Sequence, residues 1–270
     1  MTQRMMNLVV KAINAAGIKA KLTEVQKNNE TMIGVTIGDG TVRPTMYFTE
    51  EYDGMTSKQI AEKLIEKYEN LPKTPEVDVE AIMNKDYIRE NVKMKLVPES
   101  PYIEDKAKKQ FLDLYELFYI PTQVPNGYIT LTENHLFRLG ISVHELERWA
   151  KDSYEVKGMY ETLMEMNPQM AEVLPKPEHE EQLVLSNDKK FYGATAITNK
   201  TVLDLACEKL GAETIYILPS SIHECLALAM GEPEELRNMV CEVNDTQVVP
   251  QERLSYSVYK YTLGGELEIA

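Results

Sequence analysis

Cysteine is sparse: three among 270 residues, at positions 207, 225 and 241, an odd and small set for a disulfide scaffold. Reduced thiols in a cytoplasm are the simplest expectation. Long hydrophobic runs are missing too. The longest, residues 225–230, has six members, about a third of what a bilayer span needs, so no membrane association is expected. The opening Met-Thr-Gln-Arg-Met-Met-Asn lacks the charged-then-apolar layout of a secretory leader, which agrees with a cytoplasmic setting. Basic residues fall short of acidic ones, 29 Lys and Arg against 43 Asp and Glu, for a net charge of −14. Direct nucleic-acid binding is disfavoured, because a phosphate backbone is held by clustered Lys and Arg.

Several catalytic signatures are also missing. No Gly-Lys-Ser/Thr phosphate loop occurs. Gly38-Asp-Gly-Thr-Val-Arg43 imitates the start of a dinucleotide fingerprint, but Arg43 stands where the third glycine must permit close packing. Histidine precedes glutamate at His144-Glu145, His179-Glu180 and His223-Glu224. Four residues after each histidine stand Arg148, Leu183 and Ala227, none of which completes a zinc-binding pair. His135 and His144, nine residues apart, could converge across a break at Gly140, but solvent-exposed histidines are the commoner case. Neither metal nor cofactor is expected.

What is present reads as an α+β protein. Met6, Val9, Val10 and Ile13 form one helical stripe over residues 4–15, which Gly17 ends. Strand-like segments follow at 20–27, 31–37 and 41–48, with Asp39-Gly40 as a hairpin turn. Thr56-Ser-Lys-Gln59 opens an amphipathic helix as a capping box. A small α-β-β-β-α subdomain of residues 1–71 is therefore predicted, closed by the Pro-punctuated Leu71-Pro-Lys-Thr-Pro75. A larger mixed-sheet subdomain with helices packed on it follows over 76–270. Within it the pattern predicts a helix at 78–91, strands at 92–97, 111–120 and 128–132, and a helix at 132–138. A capped helix then starts at Ser142 and runs past Trp149. Later elements are a strand at 191–197, a helix at 200–210 closed by Gly211, strands at 214–218 and 224–230, and a helix at 233–242.

Ser220, Ser221, His223 and Glu224 crowd one corner, Pro219-Ser-Ser-Ile-His-Glu224, and are the candidate catalytic residues. A nucleophile elbow needs Gly-x-Ser-x-Gly, whereas the flanks of these serines are Leu218, Pro219, Ile222 and His223. The corner reads as a turn between two buried strands, with a Ser-His-Glu hydrolase as the alternative. A second candidate is charge. Residues 224–253 hold seven acids and two bases, and Glu232, Glu234, Glu235, Glu242 and Asp245 are candidates for a partner-binding acidic surface. The plain reading is a solvated helix face.

Three segments carry a resemblance: Phe111-Leu-Asp-Leu-Tyr-Glu-Leu-Phe-Tyr119, His135-Leu-Phe-Arg-Leu-Gly-Ile-Ser142 and Tyr216-Ile-Leu-Pro-Ser-Ser-Ile-His-Glu224. With Met239-Val-Cys-Glu-Val-Asn244, the chain resembles an uncharacterised family of gut clostridia and their mobile elements. Its second half is similar, more distantly, to a bacillary family of unknown function. Neither resemblance implies an activity. The expectation is a non-enzymatic interaction protein of a bacterium, phage or mobile element. A protein partner would meet its acidic surface, and an acidic decoy that mimics nucleic acid stands as a further alternative.

Overall fold

The computed structural model describes residues 1–26, 29–39, 43–71, 79–122 and 127–270. The chain divides into two compact units, Met1–Glu80 with Thr122–Gly127, and Ala81–Pro121 with Tyr128–Ala270.

The first unit runs α1 (Gln3–Ala15), β1 (Ala20–Gln26), β2 (Thr31–Ile37), β3 (Thr45–Tyr47) and α2 (Ser57–Glu69). The three strands form an antiparallel sheet in the order β1-β2-β3. Val9 and Ile13 of α1, Val35 and Ile37 of β2, and Ile60 and Leu64 of α2 meet in one core, each fully buried. The Thr56–Gln59 capping box closes both ways, so the start of α2 matches the sequence signature. Gly40 of the expected Asp39-Gly40 turn, and residues 72–75 of the expected linker, lie outside the described residues.

α3 (Val79–Ile82) spans the division between the units and α4 (Lys85–Asn91) follows it, in place of one helix over 78–91. Asn84 causes the break: its side-chain oxygen accepts the backbone N–H groups of Asp86 and Tyr87 and starts a new helix. The strands β4 (Lys93–Pro98), β5 (Lys108–Phe111), β6 (Leu114–Pro121) and β7 (Tyr128–Thr130) follow. β6 is central: β4 covers one edge, while β5 and then β7 share the other. The expected strand 111–120 is thus a hairpin, turned at Leu112, whose φ is +54°.

Next come α5 (Glu133–Leu139), α6 (Val143–Trp149), β8 (Tyr154–Gly158), α7 (Met159–Met166), β9 (Gln182–Asn187), α8 (Lys200–Leu210), β10 (Thr214–Leu218), β11 (Cys225–Leu228), α9 (Pro233–Thr246), β12 (Tyr259–Thr262) and β13 (Leu267–Ile269). Their six strands pair antiparallel in the order β13-β12-β10-β11-β9-β8. The α+β class holds, and the larger unit carries its strands in two sheets among the described residues.

Two further expectations are overturned. Residues 191–197 form no strand; Gly193–Thr198 is a buried 3-10 turn, and the strand lies earlier, at β9. A Cβ on Gly193 would stand 2.2 Å from the Ser186 hydroxyl and 2.6 Å from the His223 carbonyl oxygen. That approach suits a glycine wedged against the sheet and leaves no room for a strand residue. The helix expected to run past Trp149 also stops there, which frees residues 154–158 to pair with β9. Cys207 and Cys225 are buried in the core, Cys241 is half-buried, and all three are free. Among the described residues no helix is long and apolar enough to cross a membrane.

Candidate functional site

The corner at residues 219–224 joins β10 to β11, whose register pairs Leu218 with Leu226. The Ser220 hydroxyl donates to the Glu224 carbonyl oxygen at 3.0 Å, and the Ser221 oxygen accepts the His223 backbone N–H at 3.0 Å. Both serine side chains therefore brace the turn, as short hydroxyl side chains do in such corners. The His223 ring faces elsewhere. Its Nδ1 accepts the Tyr192 backbone N–H at 3.2 Å, which leaves the proton of the neutral ring on Nε2, 3.7 Å from a Glu252 carboxylate oxygen. The ring stacks on Tyr192 at 5.7 Å between centroids and 14° between planes. Among the described residues neither serine hydroxyl is hydrogen-bonded to the imidazole. Burial pushes the neighbouring Cys225 thiol well above its ordinary range, so that sulfur stays protonated.

Tyr192 connects this corner to β4. Its φ of +57° is strained for a bulky residue and turns its ring into a cluster with Tyr119 and Tyr128, at 5.5 and 5.6 Å. The Lys95 ammonium, on a residue 2% exposed, stands 4.3 Å from the Tyr128 ring centre and 4.8 Å from that of Tyr192. These are cation–π distances. Burial raises the Tyr192 hydroxyl to about 12. With so little exposure this lysine serves as a packed element of the core.

A different part of the second unit opens to solvent. A cleft of about 570 Å³ lies over β6, walled by Met94, Phe111 and Tyr154, with Glu116 among its lining groups. Glu116 pairs across the strands with Leu96 on β4 and Lys109 on β5. It is 3% exposed, and among the described residues its Oε2 has no hydrogen-bond partner. Burial raises its carboxyl to about 7; the Lys109 charge opposes that rise and the Glu147 charge adds to it. Lys109 is drawn away, since its ammonium lies 2.7 Å from Glu147 and 3.9 Å from Glu116. That bond holds Glu147 below the usual carboxylate range and raises Lys109.

Local sequence accounts for the cleft. The Ser142–Glu145 capping box fixes α6, which delivers Glu147. Asn199 accepts the Thr201 N–H at 3.0 Å and so starts α8, and both Asn199 and Lys200 line the cleft. Asp152, on the chain leaving α6, accepts from Asn187 at 2.7 Å and pairs with Lys93 at 3.4 Å. Chemically, Glu116 can give or take a proton near neutrality and can accept a hydrogen bond. The readable signal for it is a lone charge inside the apolar strand Leu114-Tyr-Glu-Leu-Phe-Tyr-Ile120, on the side shared by Leu114 and Phe118. The sequence reading takes that segment as an aromatic-rich strand and passes over the acid.

The acidic candidates lie on and beside α9. Leu236, Val240 and Asn244 form its buried side, while Glu232, Glu234, Glu235, Glu242 and Asp245 are exposed. Asp245 accepts the Tyr256 hydroxyl at 2.7 Å. His135 caps α5 by accepting the Thr132 N–H at 3.0 Å, and His144 lies 3.5 Å from Glu147. Among the described residues no group of three His, Cys, Asp or Glu is arranged to hold a metal ion.

Among the described residues, three antiparallel sheets and two units define an α+β protein, and the cleft lined by Glu116 and Glu147 is its candidate site. Residues 2–262 match a family of unknown function, DUF5688, and the chain belongs to that family. No curated protein and no solved structure matches it.

Proposed function

We propose that this is a binding protein whose second unit takes a small polar ligand in the cleft over β6, without transforming it. The observation that carries this reading is Glu116, a lining residue of the cleft whose buried Oε2 receives no hydrogen bond among the described residues and has only the Lys109 ammonium near it, at 3.9 Å. An acceptor desolvated and left unmatched is costly to keep unless something else satisfies it. A binding role is favoured over catalysis by the surrounding chemistry. The cleft lining holds no serine, cysteine or histidine, and Lys109 is occupied by Glu147. The hydrolase alternative at Ser221, His223 and Glu224 is weakened by the hydroxyls' use in bracing the turn. A thermal-shift survey of small polar compounds tests the reading. At least one should raise the melting temperature of the native protein and leave Glu116→Gln unchanged; no such compound, or equal shifts in both, counts against it.

A second reading keeps a protein partner at α9. Met239 and Val243 are exposed among the acids of that helix, so a basic partner with an apolar centre would find both parts of its complement. Exchange of Glu234 and Glu235 for lysine should abolish capture of such a partner; unchanged capture rejects it. An acidic decoy would instead compete with DNA or RNA for a host enzyme, with an effect that fades in salt. The setting belongs to the same proposal: cytoplasmic, from the sparse reduced thiols, and in a bacterium, phage or mobile element, from the resemblance.

A further inference from the structure

Resting on the cleft reading above, we infer that the ligand is a small organic cation, an ammonium or guanidinium group on a short apolar stem, received by the carboxyl group of Glu116. Three observations select this class. The oxygen without a donor belongs to a carboxyl group, and a cationic N–H donor makes the strongest bond to one. The protein's nearest cation, Lys109, is held 2.7 Å from Glu147 and stays 3.9 Å from Glu116, so Glu116 is only part-neutralised. The walls beside it, Met94, Phe111 and Tyr154, offer apolar and aromatic surface for an alkyl stem and for the face of a cation. An anion would fit worse, since it would meet Glu116 and Glu147 together, while Lys109 is held by Glu147 and Lys200 donates to the Gly264 carbonyl oxygen at 2.6 Å.

Capture is coupled to a proton. The titratable groups that line the cleft with Glu116 are Lys109 from β5, Glu147 from α6, Lys151 and Asp152 from the segment after α6, Tyr154 from β8 and Lys200 from α8, of which Lys109 and Glu147 act on its charge. Burial leaves Glu116 partly protonated around neutrality, with Lys109 working against that and Glu147 for it. A bound cation needs the ionised carboxylate, so each cation taken up below neutral pH expels one proton from Glu116 to solvent.

The experiment titrates the full chain with n-butylammonium and methylguanidinium, with butyrate as the anionic counter-probe, by calorimetry and NMR between pH 6 and 8. Butylammonium or methylguanidinium should bind with a dissociation constant that falls about tenfold from pH 6 to pH 8, releasing protons at pH 6 in proportion to buffer ionisation heat. Glu116→Gln should remove the pH dependence and weaken binding at least about tenfold, as expected for one lost charge-assisted bond. Lys109→Met should shift the pH dependence of binding upward, because loss of the opposing cation raises the Glu116 titration. Cation binding that ignores pH and survives Glu116→Gln overturns the inference. Glu116-dependent binding of butyrate in place of the cations overturns it while the cleft reading stands. Binding of none of the probes, together with no hit in the thermal-shift survey, removes both.

Discussion

Asp113 and Glu116 stand three residues apart on the β5–β6 hairpin, and the fold surrounds them in opposite ways. At the turn, the Asp113 carboxylate accepts three hydroxyls, from Ser255 at 2.7 Å, Ser257 at 2.9 Å and Tyr259 at 2.7 Å. It ties the hairpin to the segment that leads into β12. On the cleft side, Glu116 is more deeply buried, yet its Oε2 receives no donor among the described residues. A carboxylate with three donors is accounted for by structure. One that lines a cleft and keeps an oxygen without a hydrogen-bond donor is the group on which the proposed ligand site rests.

The largest effect that sharpens this contrast should come from Asp113→Ala. Three donors lose their acceptor, one of them the hydroxyl of fully buried Tyr259, so the unfolding free energy should fall by about 2–4 kcal/mol. Urea denaturation measures it, and a loss below about 0.5 kcal/mol, the size of an ordinary surface change, would undo the structural reading of that acid. Glu116→Gln should act in the reverse sense. The native carboxyl titrates near 7 and its ordinary value is 4.5, so the native state holds the proton more tightly than the unfolded chain. Its contribution is full below pH 4.5 and is lost as pH rises to about 7, by about 3 kcal/mol at most. The amide variant lacks this loss and should gain on the native protein across that window. Parallel stability curves would break the comparison.

Lys109→Met sharpens it further. With the opposing cation removed, the titration of Glu116 should move above 7, readable by carboxyl-carbon NMR; a midpoint that stays or falls contradicts the assigned geometry. The smallest effect belongs to Ser142→Ala, which opens the cap of α6 and should cost about 1 kcal/mol. It should also loosen the Glu147–Lys109 pair, visible as a small shift in the Glu116 titration.

Local signals in the sequence carry much of the fold. The Thr56 and Ser142 capping boxes start helices where their spacing says, and Gly211, at φ +62°, ends α8. The turn at residues 219–224 is legible because proline and serines interrupt two apolar segments. The failures have a common cause in tertiary packing. Residues 193–198, Gly-Ala-Thr-Ala-Ile-Thr, are apolar enough to pass for a strand, but Gly193 is required by backbones pressed against it from β9 and the corner. β9 itself hides behind the acids at Glu180 and Glu181, which reads as continuing loop. The candidate site is less legible than the fold. Glu116 is one letter in an aromatic strand, and its importance depends on Lys109 bending toward Glu147, a preference set by α6 and invisible in either segment alone.

The burial of two of the three sulfurs has a practical result. In the folded chain a thiol-reactive dye should find Cys241 and pass over Cys207 and Cys225, whereas the denatured chain offers all three. Labelling stoichiometry over time therefore reads how often the core opens, with no engineered residue.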